Sequence, residues 1–375
     1  MRIAVVVVAL AALVACSGRT LERYVRNGDR AMINARYADA VIEYRNAVRL
    51  DPKSAKLQAR LGDAYAALRD FVGAAIAYQT AYALAHGDTT SAIKAGDARL
   101  AFHDYTGAAT LARELLQVSE TNVDAHLLLA RALLEAGNLP AAEKEAMRAI
   151  VLAPRTPLAY EILGRIQQRA GNAKAAEVSL VKATSLAPRA PRPRLALADL
   201  YVDTGRMDEG EQQLRTAVDV APDDPDANRA YATMLVATDR CEDAEPYWTK
   251  VSEKTTDASG KLSLADYYVY AGRPDDALRV LVPLTKERDD GGPARMRVAT
   301  IYYDRGDRDK AERVTDQVLS HEPDNLTALV LKSRLASDRG DRTAALEFAR
   351  HASRLDPNAP ATRMLLSNLQ ESEDK

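Results

Sequence analysis

From residue 21 onward, apolar and small residues recur along this chain in blocks of 34, and proline closes many of the blocks in register. Pro154, Pro188 and Pro222 are 34 apart, as are Pro323 and Pro357, and Pro52 stands three blocks before Pro154. Within a block the apolar positions follow helical spacing, and no run of period-two alternation marks a strand. Each block therefore predicts two helices joined by a turn. Large residues fill the seventh, eleventh and twenty-fourth places, as Leu61, Tyr65 and Tyr78 do in the block Ala55 to Asp88. Small ones (Gly28, Gly62, Gly96, Ala130, Gly164, Ala198) face a second small set (Ala40, Ala74, Ala108, Ala142, Ala176, Gly210), which predicts a close crossing of the two helices. Gly137, Gly171, Gly205, Gly272, Gly306 and Gly340 recur midway, where the first helix should end in a left-handed residue.

Such a unit cannot bury its apolar face alone and must stack on its neighbours. The succession is not uniform. The third unit, residues 89–122, has Glu120 in place of the closing proline and Ala112 where an aromatic is usual. The register slips by one residue around Lys254–Gly260, and Pro283 falls inside a predicted second helix. A hinge between residues 252 and 293 and a normally packed variant unit are both compatible with this. Residues 360–375 carry Met364, Leu365, Leu366 and Leu369 at helical spacing and then a polar tail, which predicts a helix capping the last apolar face.

The matching residues are Gln58, Leu61-Gly62, Tyr65, Ala74, Tyr78 and Ala81 in the second unit. Tyr160, Leu163-Gly164, Gln167, Ala176, Leu180, Ala183 and Pro188 take the same places in the fifth. They resemble the tetratricopeptide repeat pattern. The resemblance spans residues 21–359, about ten units. It implies an all-α, right-handed superhelical solenoid that binds protein partners in the groove lined by the first helix of each unit.

The start of the chain is of another kind. After Met1-Arg2, residues 3–15 are apolar without a break. That is too short for an ordinary membrane-spanning helix, which takes about 20 residues, and suits the core of a secretory signal. Leu13-Val14-Ala15-Cys16 resembles the lipobox of bacterial lipoproteins. The resemblance implies that residues 1–15 are removed and that Cys16 becomes the lipid-modified first residue, acylated and membrane-held. Ser17 after it implies the outer membrane. With residues 16–20 as tether, Ser17 to Thr20 reach at most ~14 Å, so the first unit should lie near the membrane surface. Cys241 would then have no intramolecular disulfide partner; it is expected to be a small, partly buried side chain.

The chain carries 51 Lys+Arg against 53 Asp+Glu, and its only charge before Cys16 is Arg2. A near-neutral balance gives no basic face for nucleic acid. Arg26 with Asp29, Arg60 with Asp63 and Lys94 with Asp97 repeat as i,i+3 pairs at the sixth and ninth places. Arg131 and Arg165 take the ninth place in the next two units, and Asp199 in the sixth. This predicts either a charged strip that reads an extended peptide or a row of solvated ion pairs along each helix. The resemblance to chaperone-binding tetratricopeptide domains would require Asn at the ninth place of the first unit. Asp29 stands there, which argues against capture of a C-terminal carboxylate.

The five histidines are scattered, with no i,i+4 pair and no neighbouring cysteine, so no metal site is expected. No nucleophile elbow or phosphate loop is present. Asp223-Asp224, Asp275-Asp276 and Asp289-Asp290 sit at turns, where aspartate is expected as a cap or solvated residue. Neither enzyme activity, cofactor nor small-molecule substrate is expected. The resemblance points to a scaffold of an envelope assembly, of the exopolysaccharide-export or exosortase-linked kind. Pilus-assembly lipoproteins and adaptors of peptidoglycan enzymes share the design. A binder of unfolded clients would instead need an apolar groove, for which Val25, Ile93, Leu127, Leu195, Leu262 and Val330 at the fifth places are the candidates.

Overall fold

The computed structural model describes residues 20–85, 87–286 and 291–371. The leader, Cys16, His86, Asp289-Asp290 and the end of the tail lie outside the described residues. Every element described is a helix, and the helices come in the expected pairs. The chain divides into two compact units, Met1–Val220 and Ala221–Lys375; they are called here the first and second bodies.

In the first body, α1 spans residues 20–33. It is followed by α2 (Tyr37–Leu50), α3 (Ala55–Ala67), α4 (Phe71–Leu84), α5 (Thr89–Ala101) and α6 (Tyr105–Val118). Then come α7 (Val123–Glu135), α8 (Leu139–Leu152), α9 (Pro157–Arg169), α10 (Ala173–Leu186), α11 (Pro191–Asp203) and α12 (Met207–Val220). The second body holds α13 (Pro225–Ala237), α14 (Cys241–Lys254), α15 (Ser259–Tyr270), α16 (Pro274–Leu284) and α17 (Gly291–Asp304). It ends with α18 (Arg308–His321), α19 (Leu326–Asp338), α20 (Arg342–Leu355) and α21 (Pro360–Glu371).

The helix crossings are as close as the small residues predict. A Cβ on Gly62 would lie 2.6 Å from the Tyr78 ring, and one on Gly164 would lie 2.6 Å from Leu180. Ala40, Ala74, Ala108, Ala142 and Ala176 are fully buried opposite them. In the third unit the space left by Ala112 is filled from the next unit: Leu128 of α7 packs where a Cβ on Gly96 would be.

The turn after each first helix has positive φ at the fifteenth place. The six glycines account for six of these turns, with φ from 70° at Gly272 to 83° at Gly306. Ala35, Arg69, His103 and Asp239 hold the same conformation in the other four, which L-residues adopt at a cost.

Around residues 252–293 the departures are local. Helix α16 has 11 residues where most second helices have 14, and Pro283 stands in its last turn. The core nevertheless continues from Ala258 and Ala265 through Leu281 and Leu284 to Val298 and Ile301. At the C-terminus α21 forms as expected, with Leu366 packed on Ala336, Ala345 and Ala349. Met364, expected on the same apolar face, is 65% exposed instead. The side chains of Leu365 and Leu369 lie outside the described set.

Candidate protein-binding groove

The first helices carry the charged residues singled out in the sequence, but these pair differently from expectation. Arg26 does not pair with Asp29; it lies 3.6 Å from Glu22, one turn earlier. Asp29 is held by Arg60 of the next unit at 3.0 Å. Asp63 is held by Lys94 at 2.7 Å and Asp97 by Arg131 at 2.5 Å. The i,i+3 ion pairs are thus corrected to a ladder that joins units 31 or 34 residues apart.

The reason lies in the second helices. Tyr44, at the twenty-fourth place, donates its hydroxyl to Asp29 at 2.6 Å, and Tyr78 donates to Asp63 at 2.8 Å. Each tyrosine fixes its acid beside the following helix, where the next unit's cation reaches it. Burial, and the carboxylate each hydroxyl faces, push the Tyr44 and Tyr78 hydroxyls well above the usual tyrosine range. Both remain donors. In the fourth unit the sixth place is Leu128, turned inward to fill the space left by Ala112. The partner of Asp97 is therefore Arg131, from the ninth place.

Beyond Arg131 the ladder stops. Arg165 is exposed and makes no hydrogen bond or ion pair among the described residues. Asp199 meets no cation; Gln168 Nε2 lies 3.4 Å from it. Arg192 pairs with the buried Glu161 at 2.9 Å. Together the first helices α5, α7, α9 and α11 enclose a recess of about 270 Å³ whose walls include Asp97, Arg131, Ile162, Arg165 and Arg192. In the second body one further rung appears, with Arg297 bridging both oxygens of Asp266 at 2.7 and 2.8 Å.

The apolar fifth places do not line the groove as an open strip. Leu127 is 3% exposed, and Val25, Ile93, Leu195, Leu262 and Val330 are half-buried.

Two further networks were missed by sequence reasoning. The first joins a second helix to the following unit at two places. Glu177 accepts from Tyr201 at 2.9 Å and from Arg206 at 2.7 Å, and Arg206 lies over the Tyr201 ring. Glu245, Tyr268 and Arg273 repeat the arrangement at 3.0 and 2.6 Å. The arginine hydrogen bond holds the Glu177 and Glu245 carboxyls below their ordinary range. The recurrence of Glu, Tyr and Arg at the twenty-first, eleventh and sixteenth places was the available signal.

The second network is a latch at the joint between units. The side chain at the fourth place meets the backbone carbonyl six residues before it. Tyr160 reaches Pro154 at 3.1 Å, Arg194 reaches Pro188 at 3.3 Å and Asn228 reaches Pro222 at 2.9 Å. His126 does the same to Glu120 at 3.0 Å, with Glu145 2.6 Å from its other ring nitrogen.

The aspartate pairs are put to mixed use. Asp224 caps α13, accepting from Ala227 N at 2.8 Å, as expected. Asp223 instead pairs with Lys250 and Lys254, at 3.3 and 2.8 Å. Asp275 and Asp276 lie inside the first turn of α16 and do not cap it: Asp275 is solvent-exposed, the other expectation, and pairs with Arg305, whereas Asp276 is largely buried and pairs with Arg273. Cys241 is half-buried at the start of α14. No cluster of three or more His, Cys, Asp or Glu able to hold a metal occurs among the described residues. No described helix is long and apolar enough to cross a membrane.

Stacked helix pairs with small crossing residues and a groove of first helices define an all-α repeat solenoid in each body. Two family models, both described as tetratricopeptide repeat, match this chain. One covers residues 25–89 and 296–360 and the other residues 99–166 and 168–234, together more than half of the sequence. The chain belongs to the tetratricopeptide repeat family, whose units serve as scaffolds for protein–protein interaction.

Among solved structures it is similar to yeast Tom70, at 12% identity over 95% of this chain and 96% of that one, with a TM-score of 0.50. It also matches a thermophilic TPR protein of Thermus thermophilus, TTC0263, at 24% identity, over 49% of this chain and 100% of that one, with a TM-score of 0.46. For pilF of Pseudomonas aeruginosa the values are 18% identity, 66% and 97% coverage, and a TM-score of 0.40. No curated protein matches the sequence.

Proposed function

We propose that this chain is a membrane-tethered scaffold of the Gram-negative periplasm, held by a lipid on Cys16. In the groove of its first helices it binds a protein partner of an envelope assembly, of the polysaccharide-export kind. The Leu13-Val14-Ala15-Cys16 sequence after an apolar run of signal length supports the anchor. One observation carries the groove assignment. Asp29, Asp63, Asp97 and Asp266 are each neutralised by the following unit, whereas Arg165 is exposed and unpaired beside Arg131 and Arg192 in a recess of about 270 Å³. A guanidinium in that position offers a fork of donors to a carboxylate. The partner segment that fits is extended and carries an acidic residue.

The test is crosslinking in intact cells, followed by affinity capture from solubilised envelope and mass spectrometry. A stoichiometric envelope component, captured by the unaltered chain and lost with Arg165→Glu, is the expected result. A diffuse set of unfolded outer-membrane proteins, or capture indifferent to Arg165→Glu, overturns the groove assignment. Cys16→Ser should abolish processing and detergent partitioning; if both persist, the anchor assignment falls.

A further inference from the structure

The second helices turn one face away from their neighbours, at the eighteenth, twenty-second, twenty-fifth and twenty-ninth places, which share a side of the helix. In the first unit these are Ala38, Ile42, Arg45 and Arg49, and in the second Val72, Ile76, Gln79 and Ala83. In the third they are Thr106, Thr110, Arg113 and Gln117, and all twelve are exposed. A helix face turned to water ordinarily carries charges of both signs. This one carries no acid. Ile42, Val72 and Ile76 are each more than half exposed. Among the described second helices, α4 alone has no charged residue.

The lack of acid continues through α8 and α10, where the same face holds Lys144, Met147 and Val151, then Lys174, Val178 and Val181. It ends in the sixth unit, where Asp208 and Asp219 enter. The chain as a whole has 51 Lys+Arg against 53 Asp+Glu, so the bias belongs to this face and not to the composition. Acids at its edges do not reverse it. Asp39 pairs with Arg36 at 3.4 Å, and Glu43 is half-buried. Glu114, exposed at the twenty-sixth place, is outnumbered there by Arg148 and Lys182. Arg49 and Arg113 make no ion pair among the described residues. Arg45 gives its Nε–H to the Tyr65 hydroxyl at 2.6 Å and keeps its other donors.

Aliphatic side chains beside arginines, with no carboxylate, suit an anionic lipid surface. Its acyl boundary takes the first and its phosphates the second. A second copy fits badly, because the face would meet itself with cation against cation and no acid between. The anchor also brings lipid within reach. Helix α1 crosses α2 so closely that a Cβ on Gly28 would lie 2.6 Å from the Tyr44 ring. The chain therefore enters the first unit one helix spacing, about 8–10 Å, from α2. Ser17 to Thr20 span up to ~14 Å.

We propose that the outward face of α2, α4 and α6 rests on the membrane that holds Cys16. Ile42, Val72 and Ile76 enter the acyl boundary, and Arg45, Arg49 and Arg113 meet anionic headgroups. This rests on the lipid-anchor reading above and adds an orientation to it: the first helices of these units lie on the side away from the lipid, open to a partner.

The full chain, purified with its anchor, is reconstituted in vesicles of phosphatidylethanolamine and phosphatidylglycerol with brominated acyl chains. Trp248→Phe removes the sole indole, and Ile76→Trp or Gln212→Trp then supplies a single reporter on the second or the sixth unit. Bromine should quench the Ile76→Trp emission about twofold or more and leave that of Gln212→Trp nearly unchanged, with far-UV spectra unaltered. Arg45→Gln with Arg49→Gln, or phosphatidylcholine in place of phosphatidylglycerol, should relieve most of the quenching while the anchor keeps the chain on the vesicle. Equal quenching of both reporters, or quenching indifferent to those changes, overturns the proposal. So does an Ile76→Trp emission that shifts with protein concentration alone, which would mean a second copy. Incorporation of labelled palmitate at Cys16 reads the anchor separately. A lipidated chain whose Ile76→Trp indole bromine does not reach brings down this face and leaves the anchor; a chain without lipid brings down both.

Discussion

The first helices of the first three units, in the first body, and those of the fifth unit, in the first body, and the seventh, in the second, are built on one helix-pair plan and leave different chemistry exposed. In the first two, an acid at the ninth place, a tyrosine in its own second helix and a cation in the next unit form a closed circuit, as Asp63, Tyr78 and Lys94 do at 2.8 and 2.7 Å; the third keeps the acid and the cation, Asp97 and Arg131, without the tyrosine. In the later stretch the circuit is open at two points: Arg165 lacks its acid, and Trp248 replaces the tyrosine over a threonine. The same repeat can therefore use its polar residues to fasten neighbours together or leave them to a partner. The choice is made by one or two side chains per unit.

The strongest perturbation strikes what both stretches share. Ala142→Asp places a carboxylate at a fully buried helix crossing and should cost several kcal/mol. It should be read from denaturant unfolding and from amide exchange in α7 and α8; an unchanged midpoint would contradict the crossing itself.

Next comes the element found only in the closed stretch. Asp63→Ala releases both Tyr78 and Lys94 and should cost about 1–2 kcal/mol. Exchange protection should fall in the units on either side of the lost rung and little elsewhere, because solenoid stability is a sum of neighbour terms. A uniform loss throughout the chain would argue against the ladder as a local fastening.

A gain is expected at the turns. Ala35→Gly and Arg69→Gly relieve positive φ at 54° and 64° and should each raise stability by up to about 1 kcal/mol. The same change at Ala136, one residue before a turn that already has glycine, should lower it.

The acid pairs between helices give a smaller, pH-dependent effect. The folded-state carboxyls of Glu177 and Glu245 sit below their ordinary range, chiefly through the hydrogen bonds from Arg206 and Arg273. Their contribution is therefore present above the usual carboxylate titration and is lost as pH falls through the depressed values. Both pairs are partly open to solvent, which screens them, so the contribution is small. A Glu177→Gln, Glu245→Gln double variant should lose less stability between pH 6 and pH 3 than the parent.

Smallest on stability is Arg165→Ala, within about 0.5 kcal/mol, since the side chain fastens nothing. Its effect should appear only in partner capture, and a large loss of stability would place Arg165 with the fastenings.

What the sequence disclosed and what it concealed follow from geometry. The crossing residues, the six turn glycines and the capping helix were legible because each is a local requirement of a helix pair, repeated at fixed places. The ladder was read in the wrong direction. Arg60 and Asp63 are neighbours along one helix, and only the Tyr78 hydroxyl, fifteen residues on, reveals that Asp63 faces the next unit. The switch from a sixth-place to a ninth-place cation at Arg131 depends on a volume deficit at Ala112 in the preceding unit, which no charge pattern records. Ala35, Arg69, His103 and Asp239 were missed as left-handed residues because nothing in their side chains requires that conformation. Only the register does.

The latch at the fourth place has a consequence for how such an array can vary. Its acceptor is a main-chain oxygen, present whatever residue carries it, so the joint asks its partner only for a polar hydrogen at the correct reach. Tyr160, Arg194, Asn228 and His126 all supply one despite differing in size, charge and shape. Copies of the unit are thus free to drift apart in composition at a position that still fixes how each copy meets the one before it. A comparison that scores letters would count that position as lost, whereas one that scores donors would find it kept.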